Sequence, residues 1–305
     1  MKKKVSICVC TYFRNSELER LLSSISALEF NKSNQPDLIV VIIDNTEFGF
    51  AKNIVDQVSK SFPFEIQYVI EPIKGIASAR NRAINLSKDC GLIAFVDDDE
   101  IVDPNWLDEL LKLQKEMDAD LVSGPVFPLY ENTPPNWVIK GKFFERKKYP
   151  NGFVMKYAAT NNLLIRSDLL RKYSNPFDTR FNLTGGEDTA FTTKIIQEGA
   201  SCYWADKAIT YEYNNSSRFT VSWILLRALR IGWTLTIVEK YFHKSFPNLL
   251  LRFTKSIFHI LKGIIFLFPY LIIMGYAGFI KSLSFIFRGI GELLGFTPIK
   301  YQPYK

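Results

Sequence analysis

The stretch Leu92-Ile93-Ala94-Phe95-Val96-Asp97-Asp98-Asp99-Glu100 runs from five apolar residues directly into four consecutive carboxylates. A short uninterrupted apolar run suits a strand buried on both faces, and such strands belong to parallel sheets covered by helices. Ligands of open α/β sheets bind outside the carboxyl ends of the strands, where these acids stand. Four adjacent carboxylates repel one another and persist only where something cationic neutralises them. The next Lys or Arg along the chain is Lys112. The pattern therefore points to a hard divalent ion, Mg²⁺ or Mn²⁺, held by oxygen and usually shared with substrate phosphates. The plainer alternative is a solvated acidic turn that caps the next helix. Asp103-Pro104 is a good helix start, so Asp103 takes the capping role and the earlier acids are left for chemistry.

Outward from this stretch the same design repeats. Val5–Cys10, Leu38–Ile43 and Glu65–Ile70 are further strand candidates. Ser16–Leu28, Ala51–Phe62, Ala77–Lys88 and Asn105–Met117 carry apolar residues at helical spacing between them. Alternating strands and helices predict an α/β domain with a mostly parallel sheet. The strand ends carry Thr11-Tyr12, Asp44-Asn45, Glu71-Pro72 and the acidic cluster, so one rim gathers the polar groups. From about Asp120 to Asn214 the pattern is less regular. Asp120–Phe127 and Thr160–Arg166 read as strands, and Ser201–Ala205 with Ile209–Tyr213 as a pair. Between Tyr130 and Gly152 lies a loop rich in Pro, Lys and aromatics that can fold over the rim.

Charge is unevenly distributed. The whole chain carries a formal +7, yet residues 214–305 hold 12 Lys/Arg against 2 acids, leaving −3 on the rest. The basic segment is dense in aromatic and aliphatic residues, a pairing that favours an anionic membrane surface over nucleic acid. Thr220–Phe242 reads as a helix with Arg227 and Arg230 on one edge, and Gly263–Ile280 contains no charge. Those 18 residues would span roughly 27 Å as a helix, slightly short of the hydrocarbon core. Pro269, several glycines and basic residues on both flanks argue against a simple crossing, so an in-plane or re-entrant helical pair is expected, with a buried soluble subdomain as the alternative. Cys8, Cys10, Cys90 and Cys202 show neither metal spacing nor a plausible disulfide and read as small buried residues of a reducing compartment. Met1-Lys2-Lys3-Lys4 precedes a first strand rather than a signal peptide.

The ordered set Val5-Ser6-Ile7-Cys8-Val9-Cys10-Thr11-Tyr12, Ile43-Asp44-Asn45, Gly75-Ile76-Ala77-Ser78-Ala79-Arg80-Asn81, Phe95-Val96-Asp97-Asp98-Asp99 and Gly186-Glu187-Asp188 resembles glycosyltransferase family 2 of GT-A fold. The segment from Tyr211-Glu212-Tyr213 through Arg218, Trp223, Arg227 and Gly232 looks like bacterial exopolysaccharide members. The resemblance implies a catalytic domain over 1–215, with a nucleotide-binding half to 119 and an acceptor-binding half from 120, and the basic, apolar remainder over 216–305 reads as a helical membrane-associating region. It implies a nucleotide-diphosphate sugar as donor. Thr11 and Tyr12 would contact the nucleobase, Asp44 would accept the imide N–H of uracil, and Gly75 and Arg80 would serve the diphosphate or ribose. Ordinary packing for Tyr12, an Asx-turn for Asp44 and a surface salt bridge for Arg80 are the competing readings. The family's Asp-x-Asp falls on Asp97 and Asp99, with Asp98 between them on the donor side. Asp99 would ligate the metal, and Asp97 the ribose or a metal-bound water. Asp188 would be the general base, with Glu187 supporting it, in a single inverting displacement.

A Gln-x-x-Arg-Trp motif is absent, so transfer of one sugar per acceptor is expected. The only histidines, His243 and His259, lie in the apolar tail and are read as interfacial. The expected setting is the cytoplasmic face of the cell membrane, through peripheral, re-entrant or single-segment association, with a lipid-linked saccharide as acceptor. A nucleotidyltransferase lacks its Gly-rich basic loop here, and a non-catalytic membrane scaffold retaining the fold is the alternative from another class.

Overall fold

A computed structural model describes residues 4–31, 35–242 and 245–298. The order is β1 (Lys4–Thr11), α1 (Asn15–Ser26), β2 (Asp37–Asp44), α2 (Lys52–Ser59), β3 (Glu65–Ile70), α3 (Ile76–Leu86), β4 (Leu92–Val96), β5 (Glu100–Val102) and α4 (Trp106–Glu116). Then follow β6 (Leu121–Ser123), β7 (Val126–Tyr130), α5 (Asn136–Gly141), β8 (Phe153–Val154), β9 (Asn162–Arg166), α6 (Ser167–Arg171), α7 (Glu187–Gln197), β10 (Cys202–Trp204) and β11 (Thr210–Asn214). Four helices close the chain: α8 (Val221–Phe242), α9 (Phe246–Ile265), α10 (Leu267–Met274) and α11 (Tyr276–Leu294).

The main sheet has the order β3-β2-β1-β4-β9-β6-β10-β8. β3, β2, β1 and β4 run parallel, and β9 is antiparallel to both β4 and β6. The alternation of side chains decides the layers. Val5, Ile7 and Val9 enter one apolar cluster with Leu18, Leu21, Leu22 and Ile25 of α1 and Trp106, Leu107 and Leu110 of α4. Cys8, Ile39, Val41 and Ile43 face the other side, with Ala77, Ala79 and Ala83 of α3 and Phe191 and Ile195 of α7. Both faces are covered, which is why these strands read as continuous apolar runs. All four cysteines are free; Cys8, Cys90 and Cys202 are buried and Cys10 is half-buried.

The expected pairing of 201–205 with 209–213 does not form. β10 joins the main sheet beside β6, whereas β11 pairs with β5 in a smaller sheet, order β5-β11-β7. Asn162 explains the split, because its Nδ2 donates to the carbonyls of both Pro125 and Ala208 (3.1 and 2.7 Å). The strand expected over 120–127 is interrupted at Gly124-Pro125, where Pro125 has no N–H to donate and Gly124 lets the chain pass so close to Ala208 that a Cβ would stand 2.2 Å from its carbonyl oxygen. Asp103 does not cap α4 with its side chain; its Oδ1 accepts from the Asn105 N–H (3.0 Å) in an Asx-turn one step earlier.

The chain divides into two compact units. One comprises Met1–Phe127, Arg146–Leu183 and Glu187–Tyr213, the other Pro128–Glu145, Thr184–Gly186 and Asn214–Lys305. The second therefore takes in most of the Pro- and aromatic-rich loop, where Phe144 stacks on Trp223 (ring centroids 5.4 Å) and Trp137 meets Tyr276 edge-on (5.7 Å). The charge-free stretch 263–280 is no single helix. It is distributed over the end of α9, all of α10 and the start of α11, with breaks at Phe266 and Gly275. Among the described residues, Val221–Tyr241 alone is long and apolar enough to cross a membrane as one helix, and α9 with α10 qualifies only as a pair bent by 50°.

Candidate active site

The register of β1 and β2 places Thr11 opposite Asp44 at the carboxyl ends of the strands. Asp44 is fully buried. Its Oδ1 accepts from the Thr46 N–H and hydroxyl (3.0 and 2.7 Å), and its Oδ2 from the Ala51 N–H and the Tyr68 hydroxyl (2.7 and 2.6 Å). This is the Asx-turn geometry, and a uracil imide would compete with bonds already made. Tyr12, by contrast, is exposed. Its ring meets Phe13 edge-on (4.6 Å), Phe13 meets Phe50 (5.0 Å), and the Lys74 ammonium lies 5.5 Å from the Tyr12 ring. An open aromatic face at a strand end offers a stacking surface for a nucleobase.

Asn45 ties down the loop after β3, donating to the carbonyls of Glu71 and Ile73 (2.8 and 2.9 Å) and accepting from the Gly75 N–H (2.8 Å). Gly75 opens α3 at φ +132°, a conformation that L side chains rarely adopt, and a Cβ there would stand 2.3 Å from Asn182. Asn182 packs closely on Gly75, and its amide bonds the Ser78 N–H and hydroxyl (3.0 and 2.9 Å).

The acids after β4 turn in different directions. Asp98 is buried and accepts from Arg14 (2.8 Å), and Asp99 lies 3.2 Å from the same guanidinium. Asp97, half-buried, accepts from Arg80 (2.9 Å), which is also ion-paired with Glu187. Glu100 is buried and accepts from the Asn161 amide (3.0 Å), and Arg146 pairs with Glu212. Along the sequence no Lys or Arg follows the acids until Lys112, but in space Arg14 and Arg80, from distant segments, pair with them, and the charge of Arg146 acts on Glu100. Arg80 is 6% exposed, so the surface salt bridge is excluded. Its guanidinium joins Asp97 to Glu187.

Burial pushes the Asp98 carboxyl up to about 7 against the opposing pull of Arg14. Burial likewise raises Glu187 to about 7 despite Arg80, and it raises Asp97 and Glu100, the latter strongly. Asp188, next in α7, accepts from the N–H groups of Thr160 (3.3 Å) and Thr189 (2.6 Å). Thr192 fastens this turn, donating to the carbonyls of Asp188 and Ala158 (both 2.8 Å) and accepting from the Ala158 N–H (3.1 Å). The charges of Asp97 and Asp188 act on one another and on Arg80. The structure thus gathers Asp97, Asp99, Glu187 and Asp188, with Thr11 and Asp44 along the same rim.

A divalent ion suits this donor set. The oxygens are hard, and the carboxylates of Asp97, Asp98, Asp99, Glu100, Glu187, Asp188 and Glu212 meet the guanidiniums of Arg14, Arg80 and Arg146, an excess of negative charge. Among the described residues no three acids converge tightly enough to hold an ion alone. Asp99 and Asp97 would hold it, and diphosphate and water oxygens would complete its shell. Arg14, Arg146, Asn161, Asn182 and Glu212 carried no sequence signal of their own, apart from Glu212 within Tyr211-Glu212-Tyr213. Of the two histidines, His243 lies outside the described residues, and His259 bonds Glu292 (2.9 Å) within the tail.

Comparison with known proteins agrees with this architecture. The succinoglycan biosynthesis protein ExoM of Rhizobium meliloti is 32% identical over 230 residues, covering 75% of this chain and 73% of ExoM. The mannosyltransferase PcManGT of Pyrobaculum calidifontis, solved with GDP-Man and Mn²⁺, superposes at TM-score 0.63 with 16% identity, over 96% of this chain and 88% of that one. TarS 1–349 of S. aureus, solved with UDP, gives TM-score 0.55 with 16% identity, over 95% and 90%. The fold is thus the GT-A fold. The family model of Glycosyl transferase family 2 matches residues 6–174, and with it the nucleotidyltransferase and scaffold alternatives fall away: the chain belongs to glycosyl transferase family 2 and is a glycosyltransferase.

Proposed function

We propose that this enzyme moves a single sugar from a nucleotide-diphosphate sugar, with UDP as the carrier, to a lipid-linked or growing bacterial polysaccharide, inverting the anomeric carbon. The observation that carries the reading is the Asp97–Arg80–Glu187 chain of ion pairs, which ties the acids that follow β4 to the helix that bears Asp188. ExoM, a polysaccharide biosynthesis protein, supports the acceptor class, and the UDP complex of TarS supports the carrier.

In this mechanism Tyr12 stacks on the base, while Thr11 and the Asp44-held turn shape its pocket. Bound through Asp99 and Asp97, Mg²⁺ or Mn²⁺ would stabilise negative charge on the departing diphosphate. Asp188, fixed by the Thr160 and Thr189 N–H groups, accepts the proton of the acceptor hydroxyl. That oxygen bonds to the anomeric carbon as the bond to the diphosphate breaks on the opposite face. Arg80 keeps Glu187 and Asp97 at fixed separation while charge moves. The lack of Gln-x-x-Arg-Trp supports non-processive transfer, and the basic, apolar tail supports work at the cytoplasmic face of the membrane.

A screen of nucleotide sugars with Mg²⁺ or Mn²⁺, read by released nucleoside diphosphate, tests this. Asp188→Asn should lose turnover by about 10²–10⁴-fold, the usual share of general-base catalysis, while still binding the nucleotide. Full turnover in that variant would remove Asp188 as the base.

A further inference from the structure

We propose that the outer face of α9 and α10 is a contact for one leaflet of an anionic bilayer, with α9 lying along the headgroup plane; this rests on the membrane-associated reading above. Helix α9 is amphipathic in the reverse sense of a soluble helix. The side that faces α11 is polar or small: Ser256 and Gly263 are buried, and Arg252 and His259 turn to Glu292, which is fully buried. Glycines allow the helices to touch, since a Cβ at Gly263 would stand 2.6 Å from the Ser282 carbonyl oxygen and one at Gly289 2.6 Å from that of Ser256. The outward side carries Leu250, Ile257, Phe258, Leu261, Ile264 and Ile265, all exposed. It continues into α10 with Phe268 at 70% and Ile272 at 83% exposure.

At 3.6 residues per turn these outward side chains of α9 cover an arc of about 120°. A soluble helix places such an arc against its core. Polar and small residues inside with aliphatic residues outside are the arrangement of helices that meet lipid. Thr254, the polar residue within the arc, returns its hydroxyl to the Leu251 carbonyl (2.9 Å) and so presents no unmet donor.

Two observations fix the mode and the partner. Lys255 and Lys262 fall at the same edge of the arc by helical spacing, and Lys255 is exposed near the middle of α9. A helix standing across the bilayer would carry that ammonium into the hydrocarbon, whereas a helix in the plane sets both lysines at headgroup depth. The partner is anionic because residues 214–305 hold 12 Lys/Arg against 2 acids, and each cation near such a surface adds about 1 kcal/mol.

The experiment is flotation of the full chain with vesicles of phosphatidylcholine alone or mixed with phosphatidylglycerol, with donor hydrolysis measured on the same samples. Wild type should float with the anionic vesicles. The double variant Phe268→Glu, Ile272→Glu, outside the compact unit that holds the catalytic residues, should lose at least tenfold of its vesicle partitioning while hydrolysing donor as wild type does. A fluorophore on Ile272→Cys should be quenched more by lipids brominated near the headgroup than by lipids brominated near the chain end. Equal flotation of the double variant overturns the proposal, as does deeper quenching at the chain end. It is also overturned if wild type stays in the lipid-free fraction as a dimer that the same substitutions dissociate, since a second copy then covers the face. Flotation without hydrolysis in any donor would instead strike the enzymatic reading and leave the surface standing.

Discussion

Removing the Arg80 guanidinium is the sharpest perturbation of the site. Arg80 is 6% exposed and bridges Asp97 (2.9 Å) and Glu187, which is itself 2% exposed and whose second carboxylate oxygen has no hydrogen-bond partner among the described residues. In Arg80→Ala both acids lose their counter-charge inside the protein. Breaking a buried pair by deleting one partner costs about 3–5 kcal/mol, which at ~2–4 °C per kcal/mol lowers the melting temperature on the order of 10 °C. Arg80→Lys keeps the charge but reaches the two carboxylates from one point, and should fall between the two. Thermal unfolding of wild type, Arg80→Ala, Glu187→Gln and the double variant gives the coupling directly. Glu187→Gln should recover part of the Arg80→Ala loss, with a coupling of about 0.5–3 kcal/mol. Strict additivity, or a cost for Arg80→Ala within the ±0.5 kcal/mol of ordinary surface changes, would refute the clamp.

Asp99→Ala should abolish the Mn²⁺-dependent part of the thermal stabilisation given by UDP, while stabilisation by UDP alone stays as in wild type; retention of the Mn²⁺ effect would place the ion elsewhere. Gly75→Ala should lower stability by about 1–3 kcal/mol, because the φ of +132° and the Asn182 contact both oppose a side chain, and denaturant unfolding measures it. Glu187 carries its proton more readily folded than unfolded, with its carboxyl raised from 4.5 to about 7. Its contribution to stability is therefore fully present below about pH 4.5 and declines as pH rises through about 7. Melting curves of the metal-free protein should show that decline, and Glu187→Gln should flatten it.

Most of the sheet was legible because strands buried on both faces announce themselves as apolar runs: the spans of β3 and β4 match the sequence reading residue for residue, and β1 and β2 gain one residue at each end. The rim followed from topology, since the ends of parallel strands must share a side. What stayed hidden was the partner of each polar group. Arg14, Arg80 and Arg146 come from sites 84, 17 and 66 residues distant from Asp98, Asp97 and Glu212, respectively, and nothing local marks an arginine that will turn to a distant carboxylate. Asp44 shows the reverse: its position suggested a ligand contact, whereas its four bonds all lie within the fold. The misplaced β10 and β11 share that cause, because the side chain that separates them, Asn162, lies about forty residues before them, beyond any local turn signal. In the tail, composition revealed the apolar character, but only the packing reveals that α9 turns its polar side inward.

The most direct measurement is Mn²⁺ binding by electron paramagnetic resonance with and without UDP. If a cation and a pyrophosphate share the negative rim, each must tighten the other by the same factor. Mn²⁺ should bind the protein alone weakly and bind strongly with UDP, and that coupling should be lost in Asp97→Asn and Asp99→Asn. Mn²⁺ binding that is indifferent to UDP, or that survives both substitutions unchanged, would contradict it.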